Sequence, residues 1–133
     1  MSSDASIGQQ LDGFRKDFET LRREIGKVVV GHGPVIDGLL TAAIAGGHAL
    51  LEGVPGIGKT LLVESLADVM QITFQRIQFT PDLMPADLIG TYVVMESSQG
   101  RRTFEFQKGP LFSHVILADQ INRGTPKTQS ALL

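Results

Sequence analysis

No cysteine occurs in the sequence. Disulfides and thiolate metal ligands are therefore excluded, and a reducing cytoplasmic compartment is the expected location. A basic surplus is also missing: 12 Lys and Arg stand against 14 Asp and Glu, for a formal charge of −2. Nucleic-acid-binding surfaces normally carry an excess of positive charge, so no nucleic-acid partner is expected. Long apolar runs are absent as well. The richest stretch, residues 39–51, is broken by Gly46, Gly47 and His48 and is too short to cross a bilayer. The start, Met1-Ser2-Ser3-Asp4-Ala5-Ser6, lacks the basic opening and apolar core of a secretory signal. No membrane partner is expected.

What remains is an ordinary globular composition, 42% hydrophobic over 133 residues, enough for one small domain. Ile7, Leu11, Phe14, Phe18, Leu21 and Ile25 alternate in steps of four and three, the stripe of an amphipathic helix over residues 1–27 that packs on its own domain. Val28-Val29-Val30-Gly31 reads as a short extended piece. A second helix over 34–45 begins with Pro34 and stops at Gly46-Gly47, with Val35, Ile36, Leu39, Leu40, Ala43 and Ile44 inward. Residues 48–52 read as a buried strand. A helix over 59–70 turns Leu61, Leu62, Leu66 and Met70 inward. Residues 72–79 alternate apolar and polar side chains, as a strand with one covered face does. Two short strands around the polar tip 96–102 predict a hairpin spanning about 91–108. Residues 114–119 are a third buried strand, ending in an acid, and a new helix begins after Pro126.

The glycines carry the chemistry. Gly53-Val54-Pro55-Gly56-Ile57-Gly58-Lys59-Thr60 matches G-x-x-x-x-G-K-[ST] at every fixed position. Average residue usage predicts such a match by chance in roughly one of a few hundred chains this short. An apolar strand before the loop and a helix after it complete the expected context. Glycines let successive N–H groups approach phosphate oxygens, and the helix start adds its dipole. Lys59 can reach the β- and γ-phosphates, and the Thr60 hydroxyl can ligate Mg²⁺. Asp119, an acid at a strand end, suits the second holder of Mg²⁺. ATP with Mg²⁺ is thus the expected cofactor pair. Loop residues 53–60 with Leu61 form the expected nucleotide contact, and Thr60 with Asp119 the metal site.

These motifs, with Arg76-Ile77-Gln78-Phe79-Thr80-Pro81-Asp82-Leu83 and Leu117-Ala118-Asp119-Gln120-Ile121-Asn122-Arg123, resemble the MoxR family of AAA+ ATPases. Residues 126–133 are similar to the family's next helix. The resemblance implies a three-layer α/β/α P-loop fold of AAA+ type with a parallel sheet, its core over 28–133 and the hairpin as an insertion. It implies strand order 5-1-4-3-2, with residues 48–52 lying between two strands outside this sequence. The sensor residues, the trans-acting arginine and the helical lid would also lie beyond Leu133, so the 133 residues alone are expected to make an unstable module. Val29, Val30 and Gly31 would lie near the adenine, and Arg123 could meet a neighbouring subunit.

One residue departs from the pattern. The family places a water-polarising glutamate after the Mg²⁺-holding aspartate, and this chain has Gln120. Glutamine has similar shape but no basic carboxylate. Lys59 and Gln120 are the candidate catalytic positions, with binding retained and hydrolysis slowed. By resemblance the function is chaperone-like remodelling or maturation of client proteins by a hexameric ring, with a von Willebrand factor A domain protein as partner. The alternative is a nucleotide-gated binding module without turnover. A small P-loop kinase is disfavoured by the motif at 76–83. His48 and His114 read as structural, His32 equally as a turn or a base contact, Asp82 and Asp87 as helix caps, and Arg101 and Arg102 as a solvated tip.

Overall fold

The computed structural model describes residues 2–54 and 56–133, and divides them into two compact units, Met1–Ile72 and Thr73–Leu133. The first unit is helical: α1 (Ser2–Val28), α2 (Gly33–Ile44) and α3 (Lys59–Val69). α1 packs on both α2 and α3, and Ile25 of α1, Val29 just beyond it, Ile36 and Leu40 of α2, and Leu62 and Leu66 of α3 are buried. Each side chain of that size stabilises the unit by about 1.5–3 kcal/mol. The predicted stop of α2 is present. Gly46 sits at φ 65°, and the Gly47 N–H reaches the Ala42 carbonyl at 2.8 Å, satisfying a carbonyl the helix leaves open. At the surface Lys27 bonds to Glu24 and holds its carboxyl below the usual carboxylate range.

Several expectations for this unit need correction. The α1 stripe is covered only in its second half; Ile7, Leu11 and Phe14 face solvent, because α2 and α3 pack near the helix's C-terminal end. Val28 belongs to α1, and residues 29–32 form a bend, not an extended piece. Val35 and Ile44 are exposed on α2. Leu61 is also exposed: the buried arc of α3 runs through Leu62, Val63, Leu66 and Ala67, leaving Leu61 in line with Glu64 and Asp68. Residues 47–54 form no strand, and Leu50 is 78% exposed. A strand is defined by its ladder, and within the described residues this segment has no neighbour to pair with.

The second unit contains β1 (Phe74–Gln78), α4 (Pro85–Ile89), β2 (Gly90–Glu96), β3 (Arg102–Lys108), β4 (Val115–Asp119), a 3₁₀ turn (Ile121–Arg123) and α5 (Pro126–Ser130). β1 and β4 pair in parallel, with Phe74 opposite Val115 and Gln78 opposite Asp119. This is the pairing the order 5-1-4-3-2 requires of its second and third strands. Ile77 and Phe79, with Ile116 and Ala118, share the face that packs on Leu83, Leu88 and Leu111. β4 is half-buried, short of the full burial expected.

His114 is structural, as expected. Its Nδ1 lies 2.8 Å from the Thr73 hydroxyl, and its N–H donates to that hydroxyl at 3.1 Å, tying the starts of the two strands together. The hairpin is present, with β2 and β3 antiparallel and Tyr92 opposite Phe106. At its base Gly90 has φ 110°, and a Cβ there or on Gly109 would collide with the facing backbone, so both positions require glycine. Asp87 accepts the Met84 N–H at 2.8 Å as a cap of α4. Asp82 is exposed and makes no such bond among the described residues.

Candidate nucleotide-binding site

The phosphate-loop half lies in the first unit. Gly56 and Gly58 have φ 86° and 81°, left-handed values that residues with a Cβ rarely adopt, and Gly58 is the N-cap of α3. A Cβ on Gly53 would meet the end of the exposed Ile57 side chain, which would have to turn aside. Pro55 lies outside the described residues. Val54 and Ile57 expose their side chains, so these two positions contribute backbone. Among the described residues the N–H groups of Gly58, Thr60 and Leu61 have no backbone acceptor, as the first turn of a helix dictates. Such N–H groups and the α3 dipole favour an anion.

Lys59 folds back on the loop, its Nζ donating to the Gly53 carbonyl at 2.8 Å. That bond positions the ammonium beside the loop backbone. Thr60 is half-buried in the first turn of α3.

Beside the loop lies a cleft of about 400 Å³, lined by Val29, His32, Val35, Leu39, Leu50 and Leu62 and floored by Ile57, Gly58 and Lys59. Its walls are mostly apolar, as a site for a flat heterocycle should be. Val29 and His32 line this cleft. Val30 and Gly31 line a different cleft of about 430 Å³, with Glu19, Arg22 and Arg23.

The acidic half lies in the second unit. β4 delivers Asp119 to its C-terminal end, and the Phe79 N–H bonds to the Asp119 carbonyl at 2.9 Å, extending the ladder by one rung. The carboxylate Oδ2 accepts from Arg76 Nη2 at 2.5 Å. Gln120 follows in the left-handed region, φ 53° and ψ 44°, which costs a residue with a Cβ about 1–3 kcal/mol. Its exposed side chain accepts from Arg123 Nη1 at 3.1 Å.

The turn beyond is braced. Gln129 Nε2 donates to the carbonyls of Ile121 and Gly124, at 2.9 and 3.1 Å, and Gly124 abuts the Phe79 ring so closely that no Cβ would fit. Buried Thr128 donates to the Leu83 carbonyl at 2.6 Å and fixes the start of α5.

Arg76 and Arg123 are the residues whose roles the sequence did not reveal. Arg76 reaches Asp119 diagonally across the β1–β4 pair, a relation that exists only once the register is known. Arg123, which the family resemblance allows at a subunit boundary, bonds within its own turn to Gln120. The loop fits a polyphosphate: Gly56 and Gly58 hold left-handed values, and among the described residues the N–H groups of Gly58, Thr60 and Leu61 lack a backbone acceptor. A hydroxyl at Thr60 and a carboxylate at Asp119 are the oxygen donors that Mg²⁺ prefers.

The sequence profile of the ATPase family associated with various cellular activities (AAA) matches residues 48–133. Over 92% of the chain the sequence is 46% identical to the chaperone MoxR1 of Mycobacterium tuberculosis, covering 32% of that protein. It is 35% identical to the protein MoxR of Methylorubrum extorquens, over 92% of this chain and 36% of that one. A crystal structure of a protein from Cytophaga hutchinsonii with a provisional ATPase designation superposes with a TM-score of 0.83 at 47% identity, over 99% of this chain and 39% of that one. The chain belongs to the AAA+ ATPases of MoxR type, with their α/β fold. It spans about a third of the length of the curated relatives it matches. No helix among the described residues is long and apolar enough to cross a membrane.

Proposed function

We propose that the chain is the nucleotide-binding part of a MoxR-type ATPase, which binds Mg-ATP and turns it over slowly. Residues 53–60 hold the phosphates, Lys59 neutralises the terminal ones, and Thr60 and Asp119 hold Mg²⁺. The metal, when bound, shields phosphate charge and polarises the bond to be cleaved. The observation that carries this reading is the loop itself, with left-handed Gly56 and Gly58 leading into α3.

The slow step follows from Gln120. Its strained backbone presents an amide where the reaction wants a base, and an amide cannot take up the proton of an attacking water. Phosphate release by the unaltered chain and by Gln120→Glu tests it. The substituted chain should turn over about 10²–10⁴-fold faster with ATP affinity little changed. Equal rates in the two would sink the assignment of position 120.

The wider activity rests on the family. By resemblance to that family, the proposal extends to remodelling of client proteins, assembly into a hexameric ring, a von Willebrand factor A domain partner and a cytoplasmic setting. It also takes the helix over 1–27 as an appendage to the core at 28–133 and the hairpin as its insertion. Gln120 favours a second reading, a module whose partner surface is gated by ATP binding without turnover. Mass measurement with and without ATP examines assembly, and client release by Gln120→Glu but not by the unaltered chain would favour the first reading.

A further inference from the structure

The Arg76–Asp119 pair does little as a staple. β1 and β4 are already joined from Thr73 to Phe79 by a continuous ladder and by His114. A partly exposed pair, 44% and 29% exposed at the side chains, adds only a modest increment to that. Its larger effect is on the availability of Asp119. The guanidinium takes the Oδ2 of the acid assigned to Mg²⁺, and among the described residues that oxygen has no other partner. A cation and a metal ion compete for one carboxylate.

We propose that Arg76 is a positioning residue that holds Asp119 against β1 until Mg²⁺ replaces it, so that metal binding is an exchange of guanidinium for metal. The proposal rests on the Mg-ATP reading above. Arg76 and Gln78 lie on the same face as Leu117 and Asp119, opposite the face that packs on Leu88, so the guanidinium can swing away without disturbing the core. Arg76 thereby sets how much Mg²⁺ the site needs, and leaves the phosphate loop untouched.

The test follows a fluorescent ATP analogue, in the full chain, first in EDTA and then at rising Mg²⁺. Binding in EDTA reports the loop alone and should be equal in the unaltered chain and in Arg76→Met. The Mg²⁺ concentration at half-effect should fall about fivefold in Arg76→Met, a change of about 1 kcal/mol, and stay close to the original in Arg76→Lys. Without ligand, Arg76→Met should melt about 3 °C lower, and that gap should close in Mg-ATP, where the carboxylate has a new partner. An unchanged Mg²⁺ midpoint, or a melting gap that persists in Mg-ATP, overturns the proposal while leaving ATP binding intact. No analogue binding by the unaltered chain overturns both. Failure of Arg76→Met and Arg76→Gln to fold, with Arg76→Lys folded, would make the positive charge purely structural and also overturn it.

Discussion

Residues 48–52 and β4 are both short apolar runs ending in an acid, yet only one is a strand. β4 has β1 beside it, five paired positions and a face packed on Leu83, Leu88 and Leu111. The segment before the phosphate loop has no ladder, and Leu50 lies in solvent. The difference teaches that an apolar run states a capacity to be buried, while hydrogen-bonding neighbours decide whether it becomes a strand. It also explains why the two halves of the candidate site are held differently. Asp119 rides on a paired strand, whereas the loop relies on its glycines and on the Lys59 bond to Gly53.

The comparison can be broken most severely at the core of the second unit. Phe79→Ala should cost about 3–5 kcal/mol, because the ring is fully buried and closes the space beside Gly124. Denaturant unfolding measures it, and a cost below 1 kcal/mol would mean the β1–β4 face is not the core described.

A smaller effect tests the other half. Lys59→Met should weaken ATP binding by about 30–100-fold, the loss of a charge-assisted bond, with unfolding almost unchanged since among the described residues Lys59 bonds to a single exposed carbonyl. Calorimetric titration reads it, and retained affinity would remove Lys59 from the site.

The smallest effect sharpens the contrast directly. Ile116→Ala should destabilise by about 1–2 kcal/mol, less than a fully buried isoleucine because β4 is half-buried. Leu50→Ala should change stability by less than about 0.5 kcal/mol. Equal costs would show that residues 48–52 are packed after all.

Much of the fold was legible. The bounds of α2 and α3 follow from Pro34, Gly46 and the loop glycines, and the hairpin from two alternating runs around a polar tip. Errors fell where local pattern meets distant partners. The α1 stripe promised continuous burial, but α2 and α3 cover only its second half. Leu61 looked inward by composition, yet the helix period turns it toward Glu64 and Asp68. In the site, the loop residues were readable because a phosphate cradle needs particular residue types at fixed spacing. Arg76 was not, because nothing in its neighbourhood along the chain indicates Asp119.

The sequence by itself determined the glycine loop at 53–60, the acid that ends the run at 114–119, the glutamine after it and the order of most elements around them. These are matters of residue type and short spacing, which physics reads locally. Only the tertiary structure decided that residues 48–52 are not a strand, that Gln120 is held left-handed beside Arg123, and that Arg76 holds Asp119. Each depends on backbone pairing or on groups brought together from distant positions, and those contacts exist only after the chain has folded.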